Sequence, residues 1–193
     1  GMPGAYSDGG SSSSKDGAEK AGMTPTQFCD PDATGPSEAF TKTHLKRQQH
    51  DADVSSKVGG ANVCSLADGG DWGPAADVLR ANVADFADEA SLHCALGVAE
   101  RELGNDGVAY EGFKKALSLQ PEDPYVLATA GNGVALFDDP DAMEALKSAA
   151  LLAPDLPLTR MLYGAYLARE GFHDWAVEQL EAARELDPTD SQI

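Results

Sequence analysis

The chain has few basic residues. Lys and Arg number 14 against 32 Asp and Glu, which gives a formal net charge of −18 at pH 7. Such an excess of negative charge repels phosphate backbones and anionic lipid headgroups. We therefore expect no binding to nucleic acid or to a membrane. Selection of a basic partner, solubility alone and a halophilic source each fit this composition, and the sequence leaves the three open.

Cysteines and long apolar runs are also scarce. The three cysteines, Cys29, Cys64 and Cys94, lie far apart, which argues against a disulfide framework and favours a reducing compartment. No apolar run reaches the ~20 residues of a membrane-spanning helix, and the N-terminal residues lack the apolar core of a signal peptide. We predict a cytoplasmic protein.

The N-terminal residues have little capacity to form a core. Residues 1–35 are rich in Gly, Ser, Pro and Asp, and such a segment buries too little apolar surface to offset its ordering entropy. We predict a disordered tail over 1–35, then a possible helix and linker over 36–55. Basic residues cluster in that helix at Lys42, His44, Lys46, Arg47 and His50. The cluster either docks on an acidic partner or lies against the acidic repeats that follow.

Metal and catalytic signals are weak. Asp30 to Gly35 resembles the start of a calcium loop, but Thr41 stands where the bidentate Glu belongs. Four possible zinc ligands lack the close spacing of a zinc site: Cys29, His44, His50 and Cys64. His93 and Cys94 are adjacent on a predicted helix and so point different ways. We expect no metal, no cofactor and no enzymatic activity.

One pattern appears three times between Ala90 and Ile193. In each copy a glycine lies within one apolar stretch, and two alanines flank a bulky residue in the next. The glycines are Gly97, Gly131 and Gly164, and the bulky residues are Phe113, Leu146 and Leu180. The alanine pairs are Ala109 and Ala116, Ala142 and Ala149, Ala176 and Ala183. A proline ends each copy, at Pro121, Pro154 and Pro188. Small residues are needed where two helices cross closely, and the bulky residue fills the space beside them.

This pattern resembles the tetratricopeptide repeat, a stacked helical hairpin of about 34 residues. The resemblance implies an all-α, right-handed solenoid of antiparallel helix pairs over residues 56–193. We expect three clear units and one degenerate N-terminal unit, in which Ala75 and Leu79 match the second helix. The clear units predict helices near 90–103, 107–119, 124–136, 140–152, 157–170 and 173–186.

The resemblance also implies a concave groove that the first helix of each pair lines. By phase, the groove positions are Ser91, Cys94, Ala95, Val98, Arg101, Ala128, Thr129, Asn132, Ala135, Leu158, Met161, Leu162, Ala165 and Arg169. Some family members bind a C-terminal carboxylate through Lys and Arg at several groove positions. In this chain only Asn132 matches that pattern, and no groove position holds a lysine. A mostly apolar lining suits an amphipathic helix or an extended apolar peptide instead.

Two functions follow from this groove. The first is a non-enzymatic protein–protein interaction module or scaffold that binds a peptide or helix of another protein. The alternative is a secretion-type chaperone that keeps an apolar export substrate soluble, because such chaperones are similar in size, acidity and repeat number.

The last predicted helix has no covering helix after it in this sequence. We expect this end to expose apolar surface and to promote self-association or the docking of a partner. The candidate residues are Trp175, Val177, Ala182 and Leu186.

Overall fold

A computed structural model describes residues 60–189 of the chain. The predicted tail, linker and basic cluster lie outside these residues, and so do Cys29, His44 and His50 among the possible zinc ligands. The boundaries between the three predicted segments therefore stay predictions.

The described residues form eight α-helices and no strand, which confirms the predicted all-α architecture. The helices are α1 Gly60–Asp68, α2 Trp72–Val83, α3 Ala90–Glu102, α4 Asp106–Ser118, α5 Pro124–Ala135, α6 Asp141–Leu152, α7 Pro157–Arg169 and α8 His173–Leu186. The six helices predicted for the clear units begin and end within about a residue of those observed. Among the helices of residues 60–189, none is both long and apolar enough to cross a lipid bilayer.

Local chemistry sets where these helices begin and end. Pro124 and Pro157 occupy first-turn positions, where the missing N–H costs no hydrogen bond. The Asp123 carboxylate caps α5 by accepting a 2.8 Å hydrogen bond from the Tyr125 backbone N–H. Gly104 and Gly171 end first helices with φ of +80° and +88°, a conformation that glycine adopts without a steric penalty.

Within each hairpin the two helices approach closely at the predicted glycine. A Cβ added to Gly97 would lie 2.8 Å from Phe113 Cε1, and one added to Gly164 would lie 2.7 Å from Leu180 Cγ. Both distances are shorter than carbon atoms tolerate. The predicted pairing of a small residue with a bulky one is therefore confirmed.

The hairpins stack side by side. Each second helix packs against the first helix of the next hairpin, and the successive first helices α3, α5 and α7 also contact one another. The second helices α4, α6 and α8 are further apart and leave grooves between them. This arrangement places the first helices on the inner side of a solenoid, with α5 at its centre and all twelve of its residues buried.

Candidate functional site

The predicted groove residues of α5 offer little surface to a partner. Ala128, Thr129, Asn132 and Ala135 are all buried, and Asn132 is only 5% exposed. Thr129 and Asn132 also take part in interactions within the chain. Since α5 packs between α3 and α7, its inner-face side chains fill the space between helices.

The predicted residues of the flanking helices divide into buried and accessible ones. The buried members are Ser91, Cys94 and Val98 on α3 and Leu158, Met161 and Leu162 on α7. Ala95, Arg101 and Ala165 are partly exposed, and Arg169 is exposed. The accessible part of the predicted groove therefore consists of two walls, on α3 and α7, on either side of the buried α5.

A cavity of about 460 Å³ lies at one edge of these walls, where the ends of α3 and α5 meet the start of α4. Its lining residues are Arg101, Glu102, Asp106, Ala109, Phe113, Gly133, Leu136 and Phe137. Leu136 and Phe137 are exposed, whereas the Arg101 guanidinium carbon lies 5.7 Å from the centre of the buried Phe113 ring. The cavity combines an apolar mouth with charged groups and includes one predicted groove residue.

Sequence reasoning missed a polar clamp that joins α4 to the turn before α6. Lys114 Nζ lies 2.8 Å from Asp139 Oδ2 and 2.6 Å from Asp141 Oδ2, and the Tyr110 hydroxyl donates a 2.6 Å hydrogen bond to Asp139. Burial disfavours the charged carboxylate of Asp139, but these donors and the Asp141 N–H outweigh burial and lower its pKa below 3.8. Asp139 is therefore a buried ion that ties two hairpins together.

A second clamp joins α2 to α3. Arg80 Nε donates a 2.7 Å hydrogen bond to Glu100, and Asn105 Nδ2 donates another to the same carboxylate. The Glu100 side chain is nearly fully buried, so its two donors satisfy a charge that water does not reach. Only distances across the hairpin stack reveal either clamp, because Arg80 lies 20 residues from Glu100 and Tyr110 lies 29 residues from Asp139.

Three of the four residues predicted to form an exposed apolar end share one face of α8, because Trp175, Ala182 and Leu186 lie at positions i, i+7 and i+11. Trp175 lines a cavity of about 560 Å³ between α6 and α8, on the side of the preceding hairpin. Val177 is exposed two residues later, about 200° away around the helix. Ala182 is half-buried and Leu186 exposed. Self-association through these residues stays a prediction.

Possible nucleophiles and metal ligands do not assemble in the described residues. Burial raises the pKa of the Cys94 thiol to about 12, although the nearby Arg101 guanidinium lowers it. A thiol of that pKa holds its proton at neutral pH and is a poor nucleophile. Within residues 60–189, no three His, Cys, Asp or Glu side chains come close enough to hold a metal ion.

Comparison of the structure with solved structures identifies the class of fold. The chain is similar to YrrB, described as a TPR protein with an unusual peptide-binding site, at a TM-score of 0.56 and 25% sequence identity. The similarity covers 78% of this chain and 76% of that one. No protein-family model and no curated protein sequence matches the chain. The chain therefore has a tetratricopeptide-like repeat fold, and this fold is generally a protein-interaction module.

Proposed function

We propose that the chain is a non-enzymatic interaction module that holds a peptide or helix of a partner protein against its first helices. The similarity to YrrB carries this proposal, because that protein shares the fold over most of both chains and has a peptide-binding site. The interaction class follows from the fold, whereas the position of the peptide and the nature of the partner are our proposal.

Side-chain exposure favours the two walls as the contact surface. Ala95 and Ala165 are small and partly exposed, so a peptide backbone can approach α3 and α7 closely there. Arg169 is exposed on α7, with its guanidinium carbon 5.9 Å from the centre of the Tyr166 ring. An arginine stacked in this way keeps its donors in one orientation, which suits a hydrogen bond to a peptide carbonyl or carboxylate.

The cavity beside Arg101 supplies an anchor for one large apolar side chain of the partner. Leu136 and Phe137 flank its mouth, and its volume of about 460 Å³ lies within the range of small-ligand pockets. A bound segment would insert one side chain here and continue along the α3 and α7 walls. Since the chain carries a net charge of −18, a segment with basic flanking residues would approach fastest.

Site-specific photo-crosslinking tests the position of the partner without knowledge of its identity. A photoreactive phenylalanine analogue replaces Ala165 or Phe137 in the full chain, and Lys115, exposed on the second helix α4, serves as the control position. We expect crosslinks to the same partner segment from the two groove positions and none from Lys115. Crosslinks from Lys115 alone would contradict the proposal.

Removal of the chain from the complex without crosslinking, once the partner is identified, distinguishes a scaffold from a secretion-type chaperone. The partner of a scaffold stays soluble and assembled after the chain is removed. A chaperone yields a client that aggregates on release.

A further inference from the structure

A basic residue recurs at one position in three successive second helices. Arg80, Lys114 and Lys147 are 34 and 33 residues apart, which matches the repeat period. Buried carboxylates bind the first two: Glu100 pairs with Arg80, and Asp139 pairs with Lys114. Among residues 60–189, Lys147 has no ion-pair or hydrogen-bond partner.

Lys147 lacks a partner because the repeat has changed around it. The residue that takes the place of Asp139 in the next turn is Phe172, and the one that takes the place of Asp141 is Trp175, so neither carboxylate has a counterpart. The counterpart of Tyr110, which donates to Asp139, is Met143. The lysine is retained, whereas the polar residues around Lys114 are replaced by three apolar ones around Lys147.

The changed residues line a larger groove. The groove between α4 and α6 has a volume of about 280 Å³, and the ion pair of Lys114 and Asp141 forms part of its lining. The equivalent groove between α6 and α8 measures about 560 Å³. Its lining combines apolar residues with polar ones: Leu151, Tyr163 and Leu167 with Lys147, Arg160, Glu178 and Gln179. Leu151 is 72% exposed and Trp175 is 53% exposed, so large apolar side chains form its lips.

We propose that the groove between α6 and α8 is a second docking site, which binds a partner peptide carrying a large apolar side chain next to a carboxylate. The apolar side chain enters between Leu151 and Trp175. The carboxylate pairs with Lys147 and so restores the interaction that Asp139 and Asp141 make with Lys114. This site lies on the second helices, apart from the walls of α3 and α7, and does not depend on the function proposed above.

Charge favours a peptide over a second copy of the chain. Glu178 lines the groove, Asp174 and Glu181 lie on the same helix, and a second copy would bring its own acidic α8 against them. Each copy also carries a net charge of −18, so two copies repel each other. A short peptide brings a single carboxylate to the groove, so its repulsion from Glu178 is smaller than the repulsion between two acidic helices.

Synthetic peptides test the proposed chemistry on the full chain. The probe is a peptide of about 12 residues, or three helical turns, with two leucines four positions apart and an aspartate after the second. Matched peptides carry Asn or Lys in place of the aspartate, or Ser in place of the leucines. Binding is followed by fluorescence anisotropy of a dye on the peptide. In a Trp72→Phe background, Trp175 is the one remaining tryptophan and reports occupancy of the groove.

We expect the aspartate peptide to bind about three- to fivefold more tightly than the asparagine peptide, as is usual for an exposed ion pair. Lys147→Ala should abolish this difference, whereas Lys115→Ala, which removes the same charge outside the groove, should preserve it. Leu151→Ser should weaken the binding of both peptides about tenfold. Peptide binding should also shift the fluorescence emission of Trp175.

Three results would overturn the proposal. One is binding of the lysine peptide as tightly as the aspartate peptide. Another is that Lys147→Ala and Lys115→Ala change the difference in affinity between the aspartate and asparagine peptides equally. The third is a concentration-dependent dimer in sedimentation that Leu151→Ser dissociates while no peptide binds, which would assign the groove to a second copy.

Discussion

A methyl group added at Gly133 should destabilise the stack between the second and third hairpins. The ideal Cβ at this position would lie 2.3, 2.5 and 2.7 Å from Cδ2, Cε2 and Cγ of Phe113. The ring cannot move away easily, because it is 1% exposed and a Cβ at Gly97 would already contact its other edge. The Gly133→Ala substitution therefore forces a displacement of the ring or of α5.

Two opposing contributions set the change in unfolding free energy that Gly133→Ala causes. Overpacking a filled core costs about 1–3 kcal/mol, and the near overlap of atoms here places Gly133→Ala at the upper end. Alanine in place of glycine inside a helix returns about 1 kcal/mol. We expect a net loss of about 2 kcal/mol in the free energy of unfolding, measured by urea denaturation of the full chain with circular dichroism.

A second substitution separates this clash from other effects. The next hairpin carries Leu146 and Tyr166 at the positions of Phe113 and Gly133, so leucine there accepts a side chain opposite it. In a Phe113→Leu background, Gly133→Ala should cost little or nothing, giving a coupling of about 2 kcal/mol in the double-mutant cycle. Gly107→Ala is the control, since a Cβ there meets nothing within 4 Å. If Gly133→Ala cost as much in the Phe113→Leu background as in the wild-type chain, the clash with the Phe113 ring would not be the cause of the destabilisation.

Two further substitutions test the hairpin turns. Asp139→Asn should cost about 1–3 kcal/mol at neutral pH. Folding lowers the pKa of Asp139, so the difference in unfolding free energy between the two chains should be largest above pH 3.8. It should shrink as the pH falls through the folded-state pKa, and urea titrations at several pH values would show this. Asp138 has φ of +53° where the other turns have glycine at Gly104 and Gly171. Asp138→Gly should therefore raise the unfolding free energy by about 0.5 kcal/mol, and a decrease would contradict this.

The helical architecture could be predicted because each of its causes is local in sequence. Proline at Pro124 and Pro157 and glycine at Gly104 and Gly171 mark helix ends within a few residues. The repeat period then assigns which helices form pairs. A small residue such as Gly97 and a bulky one such as Phe113 occur at fixed spacing, so their contact follows from the repeat.

The surface of the candidate site was less predictable, because burial depends on residues from distant hairpins. Asn132 lies at a groove position by phase, yet it is only 5% exposed. Trp175 belongs to the last helix, yet it lines a cavity together with residues of α6. The clamp of Asp139 joins residues 25 to 29 positions apart, and no sequence spacing indicated it. Comparison of Lys147 with Lys114 in the sequence could have drawn attention to the second groove.

The most direct measurement of the central claim is the affinity of the crosslinked partner segment for groove variants. Isothermal titration calorimetry would compare the full chain with Ala165→Glu, on the α7 wall, and with Lys115→Glu, an exposed second-helix control. We predict that Ala165→Glu weakens binding at least tenfold while Lys115→Glu leaves it within about twofold. Equal affinity of the wild-type chain and Ala165→Glu would contradict the claim that first helices hold the partner.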